Sequence, residues 1–184
     1  MDELTEVEIV GGLRKGDSLA WKALCDQYSR RIWAYVARLV GQDQSVVADV
    51  FQESLMAVAR SGRNLNDSSR LWPWLAAIAH NQVALHWRKH HRCQTELLAT
   101  EPISGELTPE ETMLRQENSE QVRSILVEMS PEHVSVLEAK YMDDMSVAEI
   151  VAAFGGTTES VRSRLARARR EFSKRIQSRS LVDE

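Results

Sequence analysis

The residues best suited to chemistry lie in the last third of the chain. Arg162, Arg164, Arg167, Arg169, Arg170, Lys174 and Arg175 crowd one segment, interleaved with Val161, Leu165, Ala168 and Phe172 at helical spacing. From Thr157 to Arg179 there are eight basic and two acidic residues, a net of +6, while the whole chain carries −4, so the remainder carries −10. Cationic side chains neutralise phosphates, and a basic helix set apart from an acidic bulk is the charge pattern of a polyanion contact. Just upstream, Ser146 and Glu149 have the spacing of a capping box, and Val147, Ile150, Val151 and Phe154 recur on one helical face. Gly155 stops that helix, and Thr157 or Thr158 can cap the next. A short helix, a glycine turn and an arginine-rich second helix read as a helix-turn-helix. Thr158, Glu159, Arg162 and Ser163 are placed to reach base edges, with Arg162 the guanine candidate, while Arg164, Arg167 and Arg170 are placed to hold phosphates.

A second polar set lies mid-chain. No acidic residue occurs from Leu71 to Arg92, a stretch holding His80, Asn81, Gln82, His86, Arg88 and Lys89. Asn and Gln can hydrogen-bond base edges, and Arg and Lys can meet phosphates. The polar loop Gly62–Ser69, with Asn64 and Asn66, adjoins Trp72 and Trp74 and can accept an unstacked base. Trp74 reads as a core residue and Trp72 as the more open of the two. A third set, Asp49, Gln52, Glu53, Met56 and Arg60, shares one helical face opposite Val47, Val50, Phe51 and Val58. Taken alone, it reads as a solvated surface.

Other chemistries find little support. There is no glycine-rich phosphate loop, nucleophile elbow or pair of carboxylates in an apolar setting, so no catalytic function is expected. His86 and His90 stand one turn apart with Cys93 and His80 nearby, but no carboxylate accompanies them and their neighbours are cationic. No metal and no cofactor are expected. Two cysteines exclude a disulfide framework and a four-cysteine zinc site.

The elements that must position these groups are helices. Hydrophobic content of 43% is ordinary for a folded soluble chain of 184 residues. No apolar run approaches a membrane span, and Met1–Glu6 has no apolar leader core, so a cytoplasmic protein is expected. Periodicity and caps predict helices near 4–15, 18–40, 44–61, 73–92, 109–128, 131–142, 146–154 and 158–177, with no strand. Between them, Cys93–Leu107 lacks helical periodicity and holds Pro102 and Gly105. From Cys93 to Glu120 there are seven glutamates and one arginine, a net of −6. The expected architecture is all-α: two small helical domains, 1–92 and 108–184, joined by an acidic linker, 93–107.

These halves resemble the two domains of an extracytoplasmic-function (group IV) sigma factor, in the sigma-70 family of bacterial RNA polymerase subunits. Three blocks carry the resemblance. Gly16-Asp17-Ser18-Leu19-Ala20-Trp21 with Asp49, Gln52 and Glu53 is similar to the family's core-binding helix. Trp74-Leu75, Ile78-Ala79 and Asn81 are similar to its minus-ten helix. Leu126 to Pro131 and the helix-turn-helix are similar to its minus-thirty-five reader. The resemblance implies sigma region 2 over the first domain and region 4 over the second. It implies a transcription initiation factor that binds the beta and beta-prime subunits of core RNA polymerase and promoter DNA, helps to melt the minus-ten element, and answers to an anti-sigma factor or other protein regulator without entering the membrane. Asp49, Gln52, Glu53 and Met56 would then meet polymerase. Asn64, Asn66, Trp72, His80, Asn81, His86, Arg88 and Lys89 would meet the minus-ten element. Thr158, Glu159, Arg162, Ser163, Arg164, Arg167 and Arg170 would meet the minus-thirty-five element. The acidic linker would thread toward the RNA exit path. Gly156 stands where the family usually has an apolar residue, and a looser turn is expected there.

Overall fold

The computed structural model describes residues 4–41, 43–65, 70–94 and 109–180. Among the described residues there are eight α-helices, one short 3-10 turn and no strand. The helices are α1 (Glu6–Lys15), α2 (Ser18–Val40), α3 (Gln44–Ser61), α4 (Leu71–Gln94), α5 (Pro109–Glu128), α6 (Pro131–Tyr141), α7 (Val147–Phe154) and α8 (Thr158–Ser180), with the 3-10 turn at Gly62–Asn64. Asn66, most of the expected linker and the side chains of His90 and Cys93 lie outside the described residues. No helix among the described residues is long and apolar enough to cross a membrane.

Local chemistry sets the helix ends. Thr5 Oγ1 accepts from Glu8 N while Glu8 accepts from Thr5 N at 2.8 Å, a closed capping box that starts α1. Gly16, at φ +74°, ends it in the left-handed region. The Asp17 carboxylate caps α2 through Leu19 N at 2.9 Å, and Asp43 caps α3 through Ser45 N at 2.9 Å. Helix α4 begins two residues before Pro73. The proline thus falls in the first turn, where its missing N–H breaks no helical bond. Helix α4 also runs two residues past the expected end at Arg92.

In the first lobe α2 packs on α1, α3 and α4. Ile9, Leu24, Ile32, Val36, Leu75 and Val83 lie at the centre of its core. In the second lobe α8 packs on α5, α6 and α7. There Val136, Ala139, Ile150, Val161, Leu165 and Ala168 form a small core that holds the helix-turn-helix together. The lobes also pack on each other. Ile125, Met129 and Val134 of the second lobe join the buried cluster of the first, and α4 meets α5, α6 and α7.

The turn before α8 is tighter than the sequence suggested. Gly155 and Gly156 both have positive φ, +77° and +91°. A Cβ on Gly156 would stand 2.6 Å from Ser160 Oγ. The absent side chain lets Ser160 fold back on the helix start, so the second glycine tightens this turn. Gly156→Ala is expected to lower the unfolding free energy by about 1–3 kcal/mol, as strain at a left-handed position combines with that clash. By contrast, nothing stands within 4 Å of a Cβ on Gly11, inside α1. Gly11→Ala is expected to raise stability by roughly 0.5–1 kcal/mol through helix propensity. Urea titration of both variants checks the pair; equal effects would contradict this reading.

Candidate nucleic-acid interface

The recognition helix is assembled from its first turn. Thr157 Oγ1 accepts from Ser160 N at 3.1 Å, and Ser160 Oγ accepts from Thr157 N at 2.9 Å. This is a capping box with serine in the usual place of glutamate. Thr157, not Thr158, is therefore the cap, and Thr158, Glu159, Arg162 and Ser163 stand exposed on the first turns. Val161, Leu165 and Ala168 are buried and Phe172 half-buried, as the periodicity predicts.

The arginines of α8 divide by partner. Arg162, Arg167 and Arg170 are exposed. Arg164 is instead half-buried, its Nε 2.5 Å from Glu132 Oε1, an ion pair without hydrogen-bond alignment that ties α8 to α6. Arg175 pairs with Glu128 at 3.1 Å and Glu171 at 3.2 Å, and Arg179 pairs with Glu128. The Arg169 guanidinium lies 5.4 Å from the Tyr141 ring centre. Arg162, Arg167 and Arg170, with the exposed Lys174, thus spread along both halves of the helix. Arg164, grouped with the phosphate holders by sequence, spends its charge on a structural contact.

The face of α3 is as expected. Asp49, Gln52 and Glu53 are exposed, and Met56 is 39% exposed. Val47, Val50, Ser54 and Val58 are buried beneath them. Phe51 is held edge-on against Trp33, ring centres 5.3 Å apart. A carboxylate, an amide and a thioether on one rigid helix face suit a protein partner.

The minus-ten candidates separate. Asn64, Asn81, Arg88 and Lys89 are exposed, and His86 is half-buried. Asn81 and Arg88 line a groove of about 410 Å³ that Ser124 and Glu128 close from the second lobe. Trp72 and His80 are buried where the lobes meet, at 4% and 2% exposure. The expected contrast between the tryptophans is reversed: Trp72 is buried and Trp74 half-buried.

The junction itself is polar. Arg31 lays its guanidinium 3.8 Å from the Trp72 ring centre and reaches Met145 Sδ at 3.9 Å. Trp72 also meets Tyr35 edge-on, at 6.0 Å. Trp72 Nε1 is buried without a hydrogen-bond partner. His80 Nε2 lies 3.2 Å from the Val127 carbonyl, which can only accept, so Nε2 carries the proton. Nδ1 then accepts from the Tyr35 hydroxyl at 3.2 Å. Burial lowers the pKa of His80 and keeps it neutral, against backbone hydrogen bonds at Val127 and Met129. Arg38 pairs with Asp143 at 2.7 Å and lies 4.0 Å from Glu138, which is 6% exposed. Burial, reinforced by Asp143, pushes the Glu138 carboxyl up to about 8, while Arg38 and Arg31 pull it down. Farther out, Arg70 Nη1 donates to the Ala152 carbonyl of α7 at 3.1 Å.

Sequence reasoning passed over Arg31, Arg38, Glu138 and Asp143. Two signals were present: Arg31 and Arg38 lie two turns apart on one face, and Glu138 interrupts the apolar run from Val134 to Ala139. Among the described residues no cluster of His, Cys, Asp and Glu could hold a metal.

Comparison with known proteins places these lobes. A model of sigma-70 region 2 matches residues 24–93, and a model of sigma-70 region 4 matches residues 119–172. The chain is 25% identical over 186 residues to an ECF RNA polymerase sigma-E factor of Salmonella typhimurium strain LT2, covering 96% of each. It is 29% identical over 161 residues to the ECF RNA polymerase sigma factor SigL of Mycobacterium tuberculosis strain H37Rv, covering 85% of this chain and 88% of that one. A solved structure of CnrH with the cytosolic domain of CnrY is similar at a TM-score of 0.49 and 19% identity, covering 94% of this chain and 97% of that one.

The junction makes stability pH-dependent. A carboxyl held near 8 in the fold, against 4.5 when free, takes up a proton on folding. Its contribution is full below about pH 4.5 and is lost as pH rises toward about 8. His80 acts oppositely, its lowered pKa costing stability as pH falls below 6.5. Between these limits Glu138 governs the difference between the native chain and Glu138→Gln. The variant is expected to melt several degrees higher near pH 8, with the gap closing toward pH 6. Parallel melting curves across that range would contradict the assignment.

Proposed function

This chain belongs to the sigma-70 family, in its extracytoplasmic-function group, and from that membership we propose how its surfaces divide the work of a transcription initiation factor. It binds core RNA polymerase and directs it to specific promoters, helping to melt the minus-ten element. The observation that carries this is the order of two matches: region 2 on the lobe presenting the α3 face, region 4 on the lobe presenting the exposed arginines of α8.

The first lobe, residues 1–92, grips the enzyme. Asp49, Gln52, Glu53 and Met56 dock on the polymerase, their exposure on one rigid face supporting the role. Asn64, Asn66, Asn81, His86, Arg88 and Lys89 serve the minus-ten strand, with Trp72 and His80 joining once they are uncovered. The second lobe, residues 108–184, anchors upstream. Thr158, Glu159, Arg162 and Ser163 face the major groove, Arg167 and Arg170 hold phosphates, and Arg164 does so only by leaving Glu132. The acidic linker, 93–107, passes toward the cationic RNA exit path. The chain acts by binding rather than catalysis, works in the cytoplasm, and is held in check by an anti-sigma factor or comparable protein regulator.

Two measurements test the division. Gln52→Ala combined with Glu53→Ala should weaken capture of core polymerase while leaving the melting temperature unchanged; normal capture would refute the α3 assignment. Arg162→Ala should relax base preference at one promoter position, whereas Arg167→Ala should weaken all sequences alike and reduce the salt slope by about one. An unchanged preference profile for Arg162→Ala would remove it as a base reader.

A further inference from the structure

We propose that the corner where α1 meets α2 and the end of α3 is a nucleobase pocket, which takes one unstacked base of a single DNA strand. The proposal rests on the sigma-factor reading above, because an opened promoter strand is what supplies the base.

The site is a groove of about 260 Å³ whose lining includes Leu13, Asp17, Trp21, Val58, Ala59 and Arg63. No residue of α4 or of the second lobe lines it. Two glycines shape it. A Cβ on Gly12 would collide with Ala20, so its absence lets α1 and α2 cross at backbone range, and Asp17 N donates to the Gly12 carbonyl at 2.9 Å. Gly16 then turns the chain at φ +74°. The 3-10 turn after α3 packs on α1 and closes the far side, with Arg63 Nη2 only 3.7 Å from where a Gly16 Cβ would stand.

The lining has the parts that hold a base. Leu13 and Val58 are buried and make an apolar floor. Trp21 is half-buried and supplies an aromatic wall, on which any base can stack. Asp17 Oδ1 is fixed by Leu19 N at 2.9 Å, while Oδ2 has no hydrogen-bond partner among the described residues. A carboxylate oxygen so held can accept from the amine on a base edge. The rim is cationic. Arg14 and Lys15 end α1, Arg60 ends α3, and Arg63 follows in the 3-10 turn; all four are exposed. Four cations stand here against the one carboxylate of Asp17, in a chain whose net charge is −4. Among the described residues no ion pair or hydrogen bond holds the Arg63 side chain, which leaves it free for a phosphate. Asn64, exposed beside it, carries the strand surface on from the rim. An aromatic wall inside a cationic rim is the arrangement that grips a single strand, and a strand rather than a polymerase segment suits this charge.

The test uses the full-length chain assembled with core polymerase, and a short randomised single-stranded DNA carrying one 5-iododeoxycytidine. Ultraviolet light breaks the C–I bond, the base carbon joins an aromatic ring stacked on it, and the displaced hydrogen leaves with the iodine as HI. Trypsin releases Trp21 in the peptide Gly16–Lys22, apart from Trp72 and Trp74. The DNA adduct is expected on that peptide. Ala59→Leu fills the groove from an exposed helical position; it should abolish this adduct and weaken strand binding by about tenfold, the loss of one stacked base. Arg63→Ala should keep the adduct on the same peptide and reduce the salt slope by about 0.7, one phosphate contact on a single strand. Circular dichroism and core polymerase capture should match native chain for both variants. Adducts confined to other peptides, or native strand binding by Ala59→Leu, would overturn the pocket. Lost core capture by a folded Ala59→Leu would give the groove to the enzyme and overturn it equally. Normal capture of core enzyme by native chain leaves the family reading standing in each of these cases. If native chain captures no core enzyme, that reading and the pocket fall together.

Discussion

The constraint on which the rest depends is that α2 serves two masters. Leu24, Ile32, Val36 and Leu39 are buried and fix it as the spine of the first lobe. Arg31 and Arg38, two turns apart, leave that stripe and carry charge to the second lobe. Tyr35 sits between them at 1% exposure and turns its hydroxyl to His80. A helix cannot move one of these faces without the other. The position of α2 in the first core therefore sets where the helix-turn-helix lobe docks, and through that which α4 side chains reach solvent.

The docking surface is a compromise between apolar and polar demands. Ile125, Met129 and Val134 add buried area to the first core, which favours closure. Glu138, His80 and Trp72 are polar groups enclosed at the same place, and each carries a cost. Glu138 is driven toward its neutral form, His80 is held neutral, and Trp72 Nε1 lacks an acceptor. Buried polar groups of this kind fix one orientation at the expense of stability. That is a sensible balance in a two-lobed factor whose working state must hold two DNA elements and an enzyme at once.

Much of this was legible in the sequence. The start of α7 followed from a cap that closes in the structure as its spacing required, at Ser146–Glu149, whereas the equivalent box at Thr5–Glu8 was passed over. The buried stripe of α8 followed from period alone. What the sequence could not disclose was set by contacts made in three dimensions. Trp72 and Trp74 flank one proline, and either could have been the buried one; Arg31, from a distant helix, decides it. Arg164 looks like its neighbours until Glu132 of α6 claims it. Gly156 suggested slack, yet its missing Cβ is the room Ser160 needs. For Trp72 and Arg164 the deciding group lies on another helix, about which local pattern carries no information; for Gly156 it is a serine four residues on, whose role appears only once the turn's geometry is known.

The central claim is that one lobe grips the polymerase and opens the duplex while the other anchors upstream through the exposed arginines of α8. Its most direct test is runoff transcription with purified core polymerase on a randomised promoter library, with and without the chain. The account predicts initiation only in the chain's presence, from templates enriched in two short motifs at a fixed separation. Initiation from no template, or enrichment of a single motif with no partner at fixed spacing, would contradict it.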